Sequence, residues 1–301
     1  MLLINDPADA PPGPKLVAVG SFDGLHLGHQ HLLHRAGQQA HQLHLPLLIY
    51  TFDPPTKVFT RGEGILTSLS EKVELLQQLG IDLALIVPFN EGFARRTKEE
   101  FLGDLHRLES HRLYVGQDFA FGRGRAGTTQ DLQLVAPTEV IPLVEIDGVA
   151  VKSSLIRDLL RHSQVERAAQ LLGRPYSAEG LVGSGDRLGR TLGFPTANLE
   201  GHPQKILPPG VFAVSCRGRF GQALGVANLG YRPTVAGRVF RFEVHLLDFD
   251  QDLYGQEMQV AFHRFLRAEQ KFDGLDALRR QLATDVAAAR HWFETETPSL
   301  V

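Results

Sequence analysis

The apolar residues of this chain change rhythm once, near Pro175, and that change bounds the architecture more tightly than any other feature. Before it, short apolar runs alternate with stretches of helical spacing. Residues 16–20, 46–52 and 81–89 read as strands. Residues 26–41, 68–79 and the segment opened by Thr97 read as helices. Ser68 with Glu71, and Thr97 with Glu100, have capping-box spacing, and Gly80 stands where a helix would stop. Residues 112–121 and 140–151 supply further strands, and two short helices, 154–161 and 164–172, close this half. Such alternation predicts βαβ units and a mostly parallel sheet.

After Pro175 the helical spacing disappears until the C-terminus. Short β-type runs follow one another between Gly, Pro and Asp. Val239, Arg241, Glu243 and His245 alternate with Phe240, Phe242, Val244 and Leu246, the period of a half-buried strand. Many short strands with regular turns predict an antiparallel barrel or sandwich. Leu275, Leu278, Leu282, Val286, Ala289 and Phe293 then form a helical stripe that should dock on it. The fold class is therefore α/β plus β, with expected domains 1–174 and 175–301. The 301 residues suit two domains of ordinary size.

Composition narrows the partners. With 31 basic and 34 acidic residues the net charge is −3, which gives no support to a nucleic-acid or anionic-membrane binder. One cysteine, Cys216, excludes an intramolecular disulfide framework and is expected to be a small buried side chain. No apolar run approaches the ~20 residues of a membrane span. The first fifteen residues lack the basic start and apolar core of a signal peptide. The expectation is a cytoplasmic protein with small-molecule partners; oligomeric state is not legible.

Two segments carry chemistry. Residues 20–29, GSFDGLHLGH, follow a strand and open a helix. A helix start offers unpaired N–H groups and partial positive charge, which favour phosphate. Gly24 and Gly28 remove side chains where a ligand must come close, and His26 and His29 are three apart, so both can face one phosphate. No P-loop lysine follows, so this is not a Walker site. Two surface histidines of a His-rich helix, or a zinc site with Asp23, remain open on spacing alone. Residues 180–199, GLVGSGDRLGRTLGFPTANL, form the second segment. Gly183, Gly185 and Gly189 let backbone wrap phosphates, and Pro195, Thr196 and Asn198 place hard oxygen donors suited to Mg2+ on a rigid turn. A glycine-rich hairpin is the plain alternative. On the alternating strand, Glu243 shares a face with Arg241 and His245. It can act as a base toward a hydroxyl, or simply pair with Arg241.

Two patterns are set aside. Residues 122–127, GRGRAG, fit GxGxxG but lack the strand–turn–helix setting, so they read as a basic loop or solvated turn. Asp248, Asp250 and Asp252 mimic a calcium loop, but Leu253 and Gln259 occupy the positions needing Gly and Glu.

The first segment resembles the HxGH nucleotidyltransferase motif in the form used by bacterial bifunctional riboflavin kinase/FAD synthetases. Further matches, in the family's order, are YVGQDFAFGRGRAG at 114–127, VKSSLIR at 151–157, GRTLGFPTANL at 189–199, GVANLGYRPT at 225–234, FEVHLLDF at 242–249 and FLRAEQKF at 265–272. The resemblance implies a Rossmann-like HxGH nucleotidyltransferase domain (FMN adenylyltransferase) followed by a small β-barrel riboflavin kinase with a C-terminal helix. It implies phosphorylation of riboflavin to FMN by ATP, then adenylyl transfer to FMN giving FAD and pyrophosphate, with Mg2+. It assigns His26, His29, Gly20, Phe22, Asp23, Gly28, Asp118, Phe119, Arg125, Ser153, Ser154 and Arg157 to the adenylyltransferase. To the kinase it assigns Gly183, Gly185, Gly189, Arg190, Pro195, Asn228 and Arg267, with Thr196 and Asn198 for Mg2+ and Glu243 as base. Two departures stand out. Pro55, in FDPPT, occupies the place of a family histidine, so phosphate contact there should be weaker, which bears on adenylyl transfer more than on kinase activity. Lys152 stands for the first serine of the SSTxIR segment. A kinase with an impaired adenylyltransferase domain, or a flavin-binding module without turnover, are the alternatives.

Overall fold

A computed structural model describes residues 1–184, 188–234 and 237–296. The chain divides into two compact units, Met1–Ser153 and Ser154–Val301. In the first, β1 (Leu2–Ile4), β2 (Lys15–Val19), α1 (Leu27–Leu43), β3 (Leu47–Asp53), α2 (Thr56–Arg61), α3 (Leu69–Gln78) and β4 (Leu83–Pro88) follow in order. Then come α4 (Glu91–Ala94), α5 (Lys98–Arg107), β5 (Ser110–Gly116), α6 (Thr129–Leu132), β6 (Thr138–Ile141) and the small hairpin β7 (Glu145–Ile146) and β8 (Val149–Ala150). Helix α7 (Ser153–Arg161) starts at the boundary.

Strands β1 to β6 form one parallel sheet in the order β1-β4-β3-β2-β5-β6. Its central strands are apolar on both faces because helices cover both. One core layer holds Val17, Val19, Leu48 and Leu85 against Phe101 and Leu105 of α5. The other holds Leu16, Ala18 and Ile49 against Leu32, Leu33 and Ala36 of α1. Both predicted capping boxes form, at Ser68/Glu71 and Thr97/Glu100; each N-cap is worth about 1 kcal/mol. The chain leaves β2 toward β3 on one side, while β5 lies on the other. The order in which strands are added therefore reverses between β2 and β5, where open α/β sheets bind ligands outside the carboxyl ends of their strands.

Several elements differ from expectation, the short helices α2, α4 and α6 among them. The edge strand β1 was not foreseen. The strand expected at 112–121 ends at Gly116, and the one at 140–151 breaks into β6 and the hairpin. Asp147 and Gly148 both have positive φ (53° and 73°) there, the conformation of a tight hairpin turn.

The second unit continues with α8 (Val165–Leu172), β9 (Tyr176–Gly183), α9 (Leu188–Thr191), β10 (Ala197–Gly201), β11 (Gly210–Gly218), β12 (Gly221–Thr234), β13 (Gly237–Leu246), β14 (Glu257–Arg267) and α10 (Leu275–Thr295). The six strands close an antiparallel barrel in the order β10-β13-β12-β11-β14-β9. Its interior is filled by rings: Phe262 meets Tyr176, Phe212 and Phe242 at centroid distances of 6.1, 5.5 and 6.0 Å. Cys216 is buried as expected, and burial pushes its thiol pKa up. The stripe on α10 docks on the barrel's outer face, where Val286, Ala289 and Phe293 pack with Val211, Ala213 and Val226. The second compact unit begins at Ser154, and within it α8 packs on the barrel: Glu166 accepts the N–H of Phe265 on β14 at 3.0 Å.

Candidate functional site

The loop between β2 and α1 lies at the carboxyl edge, beside the reversal point. Its backbone is strained: Phe22 and Leu25 hold positive φ of 45° and 41°, which bulky residues rarely adopt. Burial over-determines the strain, since both side chains are about 1% exposed. Gly20 is required by the same packing; a Cβ there would come within 2.9 Å of the Phe22 ring. Asp23 works on the protein itself: its Oδ1 accepts the N–H groups of Leu66 and Thr67 at 3.0 and 3.1 Å. Ser153 donates its hydroxyl to the Asp23 carbonyl at 3.0 Å.

This frame presents two imidazoles. His26 is the N-cap of α1, and its Nδ1 accepts the His29 N–H at 3.3 Å. The neutral ring then carries its proton on Nε2, a donor. The rings stack at 3.6 Å and 16°, and Phe22 meets His29 edge-on at 5.3 Å. Gly28 sits under them: a Cβ there would lie 3.3 Å from the His26 ring. The His29 pKa is held well below the ordinary value, first by burial, then by the nearby His26 and Lys72. Two neutral donors at a helix N-terminus suit an oxyanion better than a cation.

The neighbouring loops complete the edge. Pro55 is the N-cap of α2, and Thr56 behind it shares a hydrogen bond of 3.0 Å with Ser21. A hydroxyl therefore faces the HxGH loop from the segment that lacks the family histidine. Asp118 and Phe119 follow β5, and Arg125 donates to the Asp118 carbonyl at 3.0 Å. Phe119 packs with Phe101 and Phe121. Residues 122–127 hold a short 3-10 turn and a bridge between Phe121 and Gly127, not a strand–turn–helix. Ser154 and Arg157 lie on α7, in the second compact unit.

In the barrel the site residues fall into one row across strands. Asn198 of β10 is in register with Glu243 of β13, and Glu243 with Asn228 of β12. Asn228 opposes Val211 of β11, which opposes Arg267 of β14. Directly opposed residues share a face of a sheet, and this face is the outer one, roofed by α10. Thr196, Asn198, Asn228, Glu243 and Arg267 line one pocket with Leu278, Leu282 and Val286 of α10. Glu243 lies 3.5 Å from Arg241. His245 donates from Nδ1 to the Pro195 carbonyl at 2.8 Å, tying the Pro-Thr-Ala-Asn turn to β13.

Some assignments gain a further physical reason. A Cβ at Gly183 would meet only the end of the flexible Glu200 side chain, which can move aside. Gly189 instead abuts the Phe194 carbonyl, a backbone group that leaves no room for a Cβ. Arg267 forks onto Asp285 of α10, with Nη2 to Oδ2 at 2.7 Å and Nε to Oδ1 at 2.9 Å, while Gln281 donates to the same carboxylate. Gly185 and the Arg190 side chain lie outside the described residues. Asp248 pairs with Arg290 rather than opening a calcium loop. The sequence reading missed Thr56, Lys72 and Asp285. Among the described residues no helix is long and apolar enough to cross a membrane.

Comparison with known proteins also finds two regions, with the border between residues 157 and 172. A riboflavin kinase family model matches residues 172–293, and an FAD synthetase model matches residues 9–157. The bifunctional riboflavin kinase/FMN adenylyltransferase of Escherichia coli (strain K12) is 38% identical, over 98% of both chains. That of Bacillus subtilis (strain 168) is 35% identical, over 92% of each. A crystal structure described as a macrolide-efflux protein from Streptococcus pneumoniae superposes with a TM-score of 0.87 at 30% identity, covering 97% of this chain and 99% of that one.

Proposed function

The chain belongs to the bifunctional riboflavin kinase/FMN adenylyltransferase family, and from that premise we propose how its two sites divide the chemistry. ATP phosphorylates riboflavin at the barrel pocket, and a second ATP adenylylates FMN at the carboxyl edge of the parallel sheet. The observation that carries this reading is the cross-strand row, which sets the Glu243 carboxylate between two amides on the face roofed by α10.

At the barrel, Glu243 takes the proton of the ribityl 5′-hydroxyl as that oxygen attacks the γ-phosphorus of ATP; the bond to ADP breaks. Thr196 and Asn198 offer neutral hard oxygens that fit Mg2+, which when bound would neutralise phosphate charge. The apolar side chains of α10 supply the surface against which a flat ring can lie. At the sheet, a phosphate oxygen of FMN attacks the α-phosphorus of ATP, and pyrophosphate leaves. His26 and His29 donate to the phosphate oxygens, and the first turn of α1 adds its N–H groups. Catalysis here is positioning and charge neutralisation, without a covalent intermediate. Thr56 stands in for part of the contact that Pro55 removes. Ser153, Ser154, Arg157, Asp118, Phe119 and Arg125 keep the flavin and phosphate roles that the family pattern implies. The reading includes a cytoplasmic enzyme with no nucleic-acid or membrane partner.

The test is a product assay. The purified chain with riboflavin, ATP and Mg2+ should form FMN first and FAD after it. FMN that never passes to FAD at any ATP concentration removes the adenylyltransferase half; absence of FMN removes the kinase half.

A further inference from the structure

The least expected group in the first unit is a lysine with no surface. Lys72, on α3, is fully buried. Its ammonium donates to the carbonyl of Phe52 at 2.8 Å and to that of Ser21 at 3.2 Å. Ser21 belongs to the loop that runs from β2 into His26 and the first turn of α1, which carries His29; Phe52 lies in β3, one residue before its end and just ahead of Pro55 and Thr56. One cation thus fastens the loop after β2 to the end of the adjacent strand β3 at the carboxyl edge. The Ser21 carbonyl also accepts the Thr51 hydroxyl at 3.2 Å, so the same point is pinned twice.

We propose that Lys72 is a positioning residue for adenylyl transfer, its ammonium locking the His26–His29 loop to the end of β3 and setting the charge behind the two imidazoles. The inference rests on reading this edge as the adenylyltransferase site.

A buried charge is usually held against a carboxylate. Here the ammonium instead donates to two backbone carbonyls, while Asp23 and Asp53 act on it through space. Burial lowers its pKa to about 8, which leaves it mostly charged at neutral pH. Burial first, then His26 and then that charge hold the His29 ring neutral. The groups acting on His29 are therefore His26 on its own loop and Lys72 on α3. An arriving triphosphate meets a fixed positive potential that costs no reorganisation at the moment of reaction.

Two substitutions separate the hydrogen bonds from the charge. Lys72→Met removes both; Lys72→Gln can still donate to carbonyls but carries no charge. In the full chain, Lys72→Met should lower the kcat of FAD formation about a hundredfold, with the KM for FMN changed by less than about threefold. FMN formation serves as the internal control and should hold. Lys72→Gln should recover part of the rate. In both variants the His29 imidazole, followed by NMR titration and assigned by its absence in His29→Gln, should titrate closer to the ordinary histidine range. An unaltered kcat in Lys72→Met, or a His29 titration unmoved in the two variants, overturns the proposal. If Lys72→Met loses the fold of its unit, the Gln variant decides by the same two readouts. Should the unsubstituted chain form no FAD, the reading of the edge fails instead, and the His29 titration still tests the charge.

Discussion

The two sites of this molecule are assembled in opposite ways. At the parallel sheet, functional groups come from loops that leave adjacent strands, and each loop is held by its own local devices. The Asp23 carboxylate fixes one turn, a histidine caps a helix, and Lys72 ties a loop to the end of the neighbouring strand. In the barrel the groups come from the strands themselves, and hydrogen-bond register places them. Glu243 meets Asn198 and Asn228 because three strands are in phase. A slip of one residue would send Glu243 to the ring-filled interior and bring Phe242 or Val244 outward. A loop site tolerates change in its neighbours but depends on buried polar contacts. A register site inherits every error of strand pairing.

The sharpest way to break this comparison is at Glu243. Glu243→Gln keeps shape and register, so riboflavin should still bind, while FMN formation falls about a thousandfold. FAD formation from supplied FMN should continue; chromatography of both products checks this. Loss of both activities would join sites that the contrast keeps apart. Next is His29→Ala, which removes one donor from a preorganised pair. FAD formation should drop about a hundredfold with the kinase unchanged. The smallest effect on turnover is expected at Asp285. Asp285→Ala strands the Arg267 guanidinium under α10 and should cost the barrel unit about 3 kcal/mol. It should raise the KM for riboflavin more than it lowers kcat. Calorimetry and steady-state kinetics together test whether the roof is part of the register site.

Much of this was legible because it is local. The capping boxes at Ser68 and Thr97 depend on residues three apart, and both are present. The face of Glu243 followed from strict alternation, and the docking face of α10 from its stripe. Long-range pairings were not legible. Strand β1 is three residues whose only argument is its register with β4. That Asn198 and Asn228 flank Glu243 depends on strand order, which no spacing encodes. Lys72 sits on an amphipathic helix, where a lysine normally marks the solvent face. Asp285 interrupts an apolar stripe between Leu282 and Val286, and it makes sense only once Arg267 is beside it. Asp23 and Gly189 were legible as unusual residues, and each also answers to a neighbouring group of the protein itself, the amides at 66 and 67 or the Phe194 carbonyl.

The helix that roofs the barrel pocket comes after every strand it covers. A ribosome therefore delivers the six staves before the lid, and the pocket cannot be whole while α10 is still in the exit tunnel. The sheet edge with its two imidazoles emerges far sooner. Synthesis thus delivers the stretch that matches the FAD synthetase model before the stretch that matches the riboflavin kinase model, the reverse of the order in which the two reactions run.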